Sequence, residues 1–428
     1  MKIAIIYSTS SGITKKAAKI AIIGAGISGL SVGQLLKDKH EVTIFESDNR
    51  PGGMIKCDRV NGHLFHRTGG HVFNTRRPEV LDFFWSHFNK EEEFVKADRN
   101  SGVSMDGGLF VPYPIENHIS CFDDETVNSI IKDWMIIKGN EGKIEPKNFE
   151  EFLKGRFGES LYKMYFQPYN EKVWRRDLTK VPLSWLEGKL PMPTGEELIF
   201  NNIKKVEEKK FVHSTFFYAK NHGSQFIADR FAEGLNIQYG KKIESMSLAD
   251  GTWTVDGESF DKVVFCGNIK QLPSMINVLK SDEVAMIEGL ESHGTTTVLC
   301  EIDDNPYSWI YMPSKKHESH RIICTGNFSP SNRADGKMSA TIEFTDYISK
   351  EDILDNLERI PWHPKYITHN YEKYTYPIQD ANTRTGIKKL RDDLEQSGLY
   401  LCGRFAEWEY YNTDVCMASA IEVSKKFN

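Results

Sequence analysis

The clearest pattern in the chain begins at Lys19, where Ile20 to Ile23 form an unbroken apolar run that enters Gly24-Ala25-Gly26-Ile27-Ser28-Gly29. Such a run, bounded by glycine, predicts a strand buried on both faces, and Leu30 to Leu36 continues as the first turns of a helix. A second run, Glu41 to Phe45, predicts the next strand and stops at Glu46. Strand, glycine loop, helix, strand and acid in this order make a βαβ unit. Gly24 permits the tight turn, Gly26 lets the backbone approach a pyrophosphate, and Gly29 lets helix and strand pack closely. The helix start offers N–H groups and a positive dipole end to phosphates. Glu46, about 20 residues on, stands where a carboxylate accepts from a ribose hydroxyl.

Beyond Thr126 the period changes. Ile130, Ile131, Trp134 and Ile137, then Leu153, Phe157, Leu161 and Tyr165, recur at helical spacing, and few strand signals appear before Glu208. This stretch reads as an inserted helical domain. Asn236 to Val264 alternates like a meander and ends in Asp261 to Gly267, a strand reaching a glycine. Thr295 to Leu299, Ile310 to Met312 and Ala340 to Thr345 read as strands of an antiparallel sheet, the floor of a substrate cavity. Leu399 to Arg404 reads as a late strand stopping at Gly403, followed by a helix with Asp414 as its N-cap. No low-complexity linker intervenes, so interleaved domains are expected. They divide as an extension over 1–18, a cofactor-binding domain from 19–120, 211–280 and 391–428, a helical insertion over 121–210, and a substrate-side sheet over 281–390.

Length and composition narrow the class. A chain of 428 residues exceeds one ordinary core. The net charge of −6 argues against nucleic acid as the main partner while allowing local basic pockets. The seven cysteines (57, 121, 266, 300, 324, 402, 416) show no CxxC pair and no zinc spacing, so no metal is expected and the thiols read as reduced, in a cytoplasmic protein. No apolar run approaches the ~20 residues that span a bilayer, and stable membrane insertion is not expected. The apolar stretch within Met1 to Ala18 is too short for a signal peptide. Lys2 to Ile6 is repeated verbatim at Lys19 to Ile23, and Tyr7 to Thr14 resembles the opening of a flavodoxin. Only that opening is present, so the segment reads as an appended strand or N-terminal extension rather than a second flavin site.

The residues after the second strand choose between nicotinamide and flavin dinucleotides. Arg50-Pro51-Gly52-Gly53-Met54 and Thr68-Gly69-Gly70-His71-Val72-Phe73 place paired glycines where a chain lies flat against a flavin's inner pyrophosphate and ribityl, with two ordinary glycine turns as the alternative. A strand, a glycine and a helix N-terminus near the C-terminus is how many flavoproteins close over the ring, so FAD is the expected cofactor. From about Lys19 onward the chain resembles the UDP-galactopyranose mutase family, especially its longer eukaryotic type, within the FAD/amine-oxidase superfamily. The matching segments are GGHVF (69–73), VPYPIENHIS (111–120), FGESLYKMYFQPYNEKVW (157–174), SWIYMP (308–313), NFSP (327–330) and CGRFAEWEYYNTD (402–414). PYNxKVW with the terminal GRFxxWxY is specific, since generic flavin oxidases are not expected to carry both.

The resemblance implies an α/β fold: a Rossmann-like FAD-binding domain of amine-oxidase type, an inserted helical domain and an antiparallel-sheet substrate domain. It implies a mutase in which the N5 atom of reduced FAD attacks the anomeric carbon of a UDP-sugar and expels UDP, and the sugar recloses as a furanose without net electron transfer. An external reductant such as NAD(P)H and a homo-oligomer are compatible with it. Cofactor contacts are implied for Gly24, Gly26, Ser28, Gly29, Glu46, Gly53, Met54, Gly70, His71, Ile243, Arg404, Asp414 and Met417. His71 is implied on the flavin's reactive side, in a loop that shifts with redox state; a generic buried histidine is the other reading. A diphosphate leaving group calls for cations and phenol donors. Arg321 matches the family arginine, and Tyr311, Tyr376 and Tyr410 match its phosphate-facing tyrosines. Tyr113, Phe166, Tyr169, Asn170 and Trp174 are implied contacts to uracil or sugar, although aromatic stripes on helices also serve as core.

One expected arginine is missing. After PYNxKVW the chain has Ser184 to Lys189, where Lys189 keeps the charge but loses the planar fork. Arg175 and Arg176 are the nearby substitutes, each also readable as a solvated helix residue. The usual asparagine contact to the nucleotide is replaced near His213, and Arg67 stands where many relatives place an acid. These departures bear on the identity of the nucleotide-sugar more than on the flavin chemistry. Two further readings stay open: an FAD-dependent oxidase or desaturase acting on an amine or carbocycle, and a flavin-binding protein without catalysis if Lys189 does not replace the arginine.

Overall fold

The computed structural model describes residues 17–140, 145–183, 193–206 and 214–427. At its centre is a five-stranded parallel sheet in the order Leu399–Leu401, Lys262–Phe265, Lys19–Ile23, Glu41–Phe45, Ile237–Gln238. The apolar run at Lys19 sits in the middle strand and is buried from both sides. Ile20 and Ile22 pack with helix Ile27–Leu36 and the late helix Thr413–Lys425, while Ala21 and Ile23 pack with Trp253, Phe260 and Leu272. The helix begins at Ile27, three residues before the sequence pattern suggests, because Ile27, Ser28 and Gly29 are already helical and buried.

The expected meander is shorter than the alternation that suggested it. Met246–Ala249, Thr252–Val255 and Glu258–Phe260 form it, whereas Ile237–Gln238 joins the parallel sheet as its edge. A seven-stranded sheet supplies the second layer, ordered Lys365–Ile378, Glu291–Glu301, Ser339–Thr345, Arg321–Ile323, Trp309–Tyr311, Ser101–Ser104, Phe110–Pro112. Its neighbours are antiparallel except Trp309–Tyr311 with Ser101–Ser104. The expected strands near 295–299, 310–312 and 340–345 all lie in it. Helices Asp124–Gly139, Phe149–Phe157, Gln167–Trp174 and Gly195–Ile203 form the helical region, closed around Trp134, Phe157 and Leu161. The α/β architecture inferred from the sequence is present.

Candidate active site

Three glycine-bearing segments converge on the start of helix Ile27–Leu36. Gly24 turns with φ +105°, where a side chain is strained, and a Cβ on Gly29 would collide with the Gly24 carbonyl. Gly26 bridges to Gly52, whose N–H donates to the Ala25 carbonyl at 2.8 Å, and Gly53 and Met54 open the short turn beside it. Gly403, with φ +98°, has no space for a side chain because Ser28 occupies it. Neither helix Ile27–Leu36 nor helix Thr413–Lys425, packed against it, has a side-chain cap at its N-terminus. A glycine lane with two uncapped helix starts is a donor set that fits the pyrophosphate of a dinucleotide such as FAD.

Glu46 is 7% exposed; one carboxylate oxygen accepts the Ala25 N–H at 2.7 Å and the other the Asp48 N–H at 2.9 Å. It therefore braces the glycine loop, a task the sequence pattern does not reveal, and each oxygen retains capacity for a ribose hydroxyl. Asp414 is not the N-cap. The helix starts at Thr413 behind the extended Asn412, so Asp414 falls in the first turn, where its charge complements the dipole. Met417 is fully buried in the core with Ile27 and Leu30, and Ile243 packs with Ile23 and Phe45 across the sheet.

The Gly69-Gly70-His71 loop lies against the seven-stranded sheet, with Ile323 Cγ2 2.6 Å from where a Gly70 Cβ would stand. The Arg67 carbonyl accepts from Asn370 Nδ2 at 2.9 Å, and its side chain reaches Asn370 Oδ1 at 3.4 Å and Asp58 at 3.8 Å. The base in front of GGH is thus tied to the outer strand and to a nearby acid. His71 Nε2 and Arg404 Nε are buried with no hydrogen-bond partner among the described residues, as expected where a bound group completes a site. Burial and the Arg404 charge hold the His71 imidazole down at about 4, so it is neutral near pH 7.

From this loop a wall of tyrosines and guanidinium groups extends along the sheet. Arg404 lies 4.1 Å over the Tyr410 ring, which stacks on Tyr376 at 5.3 Å and 16°. Arg321 Nη2 donates to the Tyr376 hydroxyl at 3.2 Å, and its Nε donates to Glu343, its register partner on the next strand. His320 Nε2 lies 3.4 Å from the same carboxylate oxygen. Burial alone would raise the Glu343 pKa, but the Arg321 charge and His320 outweigh it and hold it at about 2. Burial likewise opposes the Arg321 charge, and Glu343 raises that pKa well beyond its usual range. The Arg321 side chain remains 22% exposed while that of Glu343 is 2% exposed, so a buried acid orients a cation that can still meet a ligand. Opposite Arg321 in register is Tyr311, whose hydroxyl accepts from Arg99. Tyr113 lies 5.0 Å from the Tyr311 ring, and Tyr169 meets it edge-on at 5.6 Å.

A profile of the NAD(P)-binding Rossmann-like domain matches residues 22–86. The chain is 23% identical over 420 residues to the dTDP-fucopyranose mutase of Escherichia coli, covering 96% of this chain and 98% of that one. It is 23% identical over 438 residues to the UDP-galactopyranose mutase of Mycoplasma genitalium, covering 98% and 97%. A crystal structure of reduced UDP-galactopyranose mutase superposes with a TM-score of 0.87 at 20% identity, covering 96% of this chain and 94% of that one. The chain is thus similar along nearly its whole length to a dTDP-fucopyranose mutase and a UDP-galactopyranose mutase. The two relatives named with their organism are bacterial, and the likeness to the longer eukaryotic type stays an expectation from the motifs.

Not every residue inferred from the mutase resemblance takes the place expected. Phe166, Tyr169, Asn170 and Trp174 do not share one regular helix, because Tyr162–Phe166 is a π-helical turn that precedes the α-helix Gln167–Trp174. Phe166 stacks on Phe157 at 4.3 Å, and Phe166 and Trp174 belong to the core of the helical region. Asn170 Nδ2 donates to the Phe166 carbonyl at the end of that π-helical turn at 2.7 Å, which leaves its amide oxygen for another partner. Lys189 and His213 lie outside the described residues. Arg175 and Arg176 follow the helix end and pair with the exposed acids Glu318 at 2.9 Å and Glu291 at 2.7 Å. Arg99, His320 and Glu343 are wall residues that the mutase motifs did not point out. Glu343 carries a signal in retrospect, a lone acid inside the buried strand Ser339–Thr345; Arg99 sits in a short connection with none. All seven cysteines are free.

Proposed function

We propose that this protein is a flavin-dependent mutase that interconverts the pyranose and furanose forms of a nucleotide-linked sugar, UDP-galactopyranose or a close analogue, with FAD as cofactor. The observation that carries this reading is the continuity of the glycine lane, the GGH loop and the tyrosine–guanidinium wall. When bound in reduced form, the flavin supplies a nucleophilic N5 for the anomeric carbon. Gly24, Gly26, Gly29, Gly53 and the two helix N-termini hold the cofactor pyrophosphate, Glu46 takes a ribose hydroxyl, and His71 and Arg404 offer their buried nitrogens on the ring side.

Arg321, Tyr311, Tyr376 and Tyr410 bind the substrate diphosphate. Charge builds on the departing oxygen, and a cationic donor there contributes ~1.5–3 kcal/mol, more where water is excluded. Because Glu343 already fixes Arg321, little reorganisation accompanies departure. Arg99 donates to the Tyr311 oxygen, which leaves the phenolic proton directed to phosphate and strengthens it as a donor. Tyr169, Asn170 and Tyr113 receive the nucleoside or sugar, and Lys189 supplies the second cation as a point charge. Residues 19–120, 211–280 and 391–428 form the cofactor side and 281–390 the substrate side. The setting is cytoplasmic, with an external reductant such as NAD(P)H and a furanose product destined for cell-surface polysaccharide. Among the described residues no helix is long and apolar enough to cross a membrane.

The test is incubation of dithionite-reduced protein with UDP-galactose and related nucleotide-sugars, followed by chromatography. Conversion should appear only after reduction and without stoichiometric consumption of reductant. Oxygen uptake matched to substrate loss would replace this reading with an oxidase.

A further inference from the structure

The PYNEKVW segment contributes one group that the chemistry above leaves unused. Lys172 lies in helix Gln167–Trp174, between Asn170 and Trp174, and its ammonium turns into the protein. It donates to the Met312 carbonyl at 3.1 Å and the Ser319 carbonyl at 2.9 Å. Both acceptor residues are buried, and both lie where strands Trp309–Tyr311 and Arg321–Ile323 separate into the loop over 313–318. Met312 directly follows Tyr311 and donates its N–H across the hairpin to the His320 carbonyl at 2.9 Å, and Ser319 lies two residues before Arg321. One cation therefore clasps both strands at the point where they carry the diphosphate-facing groups.

Keeping an ammonium here is costly. Burial pulls its pKa down to about 7, although Asp106 and Glu318 act the other way. An apolar side chain of similar length would fill the same space with less desolvation cost. The contact between Tyr169 and Tyr311 cannot replace the clasp, since an edge-on ring pair tolerates sliding and a hydrogen-bonded ammonium does not. The end of the helix is tied separately, through His293 Nε2 and the Trp174 carbonyl at 2.6 Å. Loss of Lys172 would let the hairpin shift against a helix that stays in place.

We propose that Lys172 is a positioning residue that fixes the spacing between the nucleoside-facing helix and the diphosphate clamp of Tyr311 and Arg321. This rests on the nucleotide-sugar reading. UDP joins nucleoside and diphosphate through a short covalent link and engages both halves at once only over a narrow range of separations, whereas uridine and pyrophosphate each need only one half.

Calorimetric titration of FAD-loaded, reduced protein with uridine, UDP and inorganic pyrophosphate separates the cases. Lys172→Met keeps most of the apolar stem and removes the donors. It should weaken UDP by about tenfold while uridine and pyrophosphate stay within about twofold of wild type. In an Arg321→Ala background the same substitution should change UDP affinity less than about twofold, because the clamp it positions is already gone. Equal weakening of uridine and UDP, an unchanged UDP affinity, or full additivity with Arg321→Ala would overturn the positioning role. If wild-type protein binds UDP no better than pyrophosphate, the nucleotide reading fails and the proposal falls with it. Should Lys172→Met not take up FAD, Lys172→Gln, too short to reach both carbonyls, serves with the same expected and overturning results.

Discussion

Glu343→Gln tests the group that orients the clamp. Glu343 is 1% exposed, and its carboxylate accepts from Arg321 and faces His320. Burial opposes its ionisation, yet these partners carry its pKa from 4.5 to about 2. The difference favours the ionised form by about 3 kcal/mol, at about 1.4 kcal/mol per pH unit. Gln keeps the shape but leaves the Arg321 guanidinium without its counter-charge, and breaking one side of a buried pair costs about 3–5 kcal/mol. The expected loss is therefore about 3 kcal/mol at neutral pH, a fall in Tm of about 3 °C for a chain of 428 residues. Because the folded pKa lies below the unfolded one, the carboxylate's contribution is fully present above pH 4.5 and is lost as pH falls toward about 2. Thermal unfolding followed by circular dichroism across that window should show a wild-type decline that Glu343→Gln flattens. With Arg321→Ala added, the two losses should sum to less than their separate values, since each single change strands the other charge. A fall in Tm below about 1 °C at neutral pH, with the acid decline intact, would refute the argument.

Gly26→Val should yield colourless protein without releasable FAD, because a branched side chain would occupy the pyrophosphate lane; normal flavin loading would remove the basis of the cofactor assignment. Arg321→Ala should weaken UDP binding and slow turnover together, as one charge meets both the bound diphosphate and the leaving group. Lys189→Ala should act in the same way and Lys189→Arg should hold or raise activity; an unchanged UDP affinity in Lys189→Ala places that residue outside the site. His66 is fully buried and bonded to the Tyr218 hydroxyl at 2.7 Å, and burial, followed by His71, lowers its pKa from 6.5 to about 3. Its neutral form is a stabilising requirement met above pH 6.5 and progressively lost as pH falls toward about 3, so urea midpoints of His66→Gln should depend less on pH across that range than those of wild type.

Local order along the chain was enough to predict the glycine lane at the start of helix Ile27–Leu36. The apolar run of Ile20 to Ile23, the glycine spacing and Glu46 follow one another within a single βαβ unit, so short-range sterics and burial decide their arrangement. The helical region and the antiparallel strands were legible for a similar reason, since period alone separates the two. Boundaries were less secure: Asp414 was read as a cap because a local rule cannot tell Asn412, Thr413 and Asp414 apart, whereas packing of the whole helix can.

The clamp belongs to tertiary structure. Arg321, Tyr311 and Glu343 meet through strand register, and Arg99 and Arg404 arrive from opposite ends of the chain. No spacing in the sequence encodes those encounters. The same holds for the aromatic helix, where a π-helical turn moves Phe166 into the core and leaves Tyr169 beside Tyr311. The sequence by itself determined the side-chain chemistry and the local backbone freedom of the residues proposed to bind phosphate and flavin. Which of them share one site, and which buried acid holds the cation in place, was decided only when the two sheets packed and brought distant strands into register.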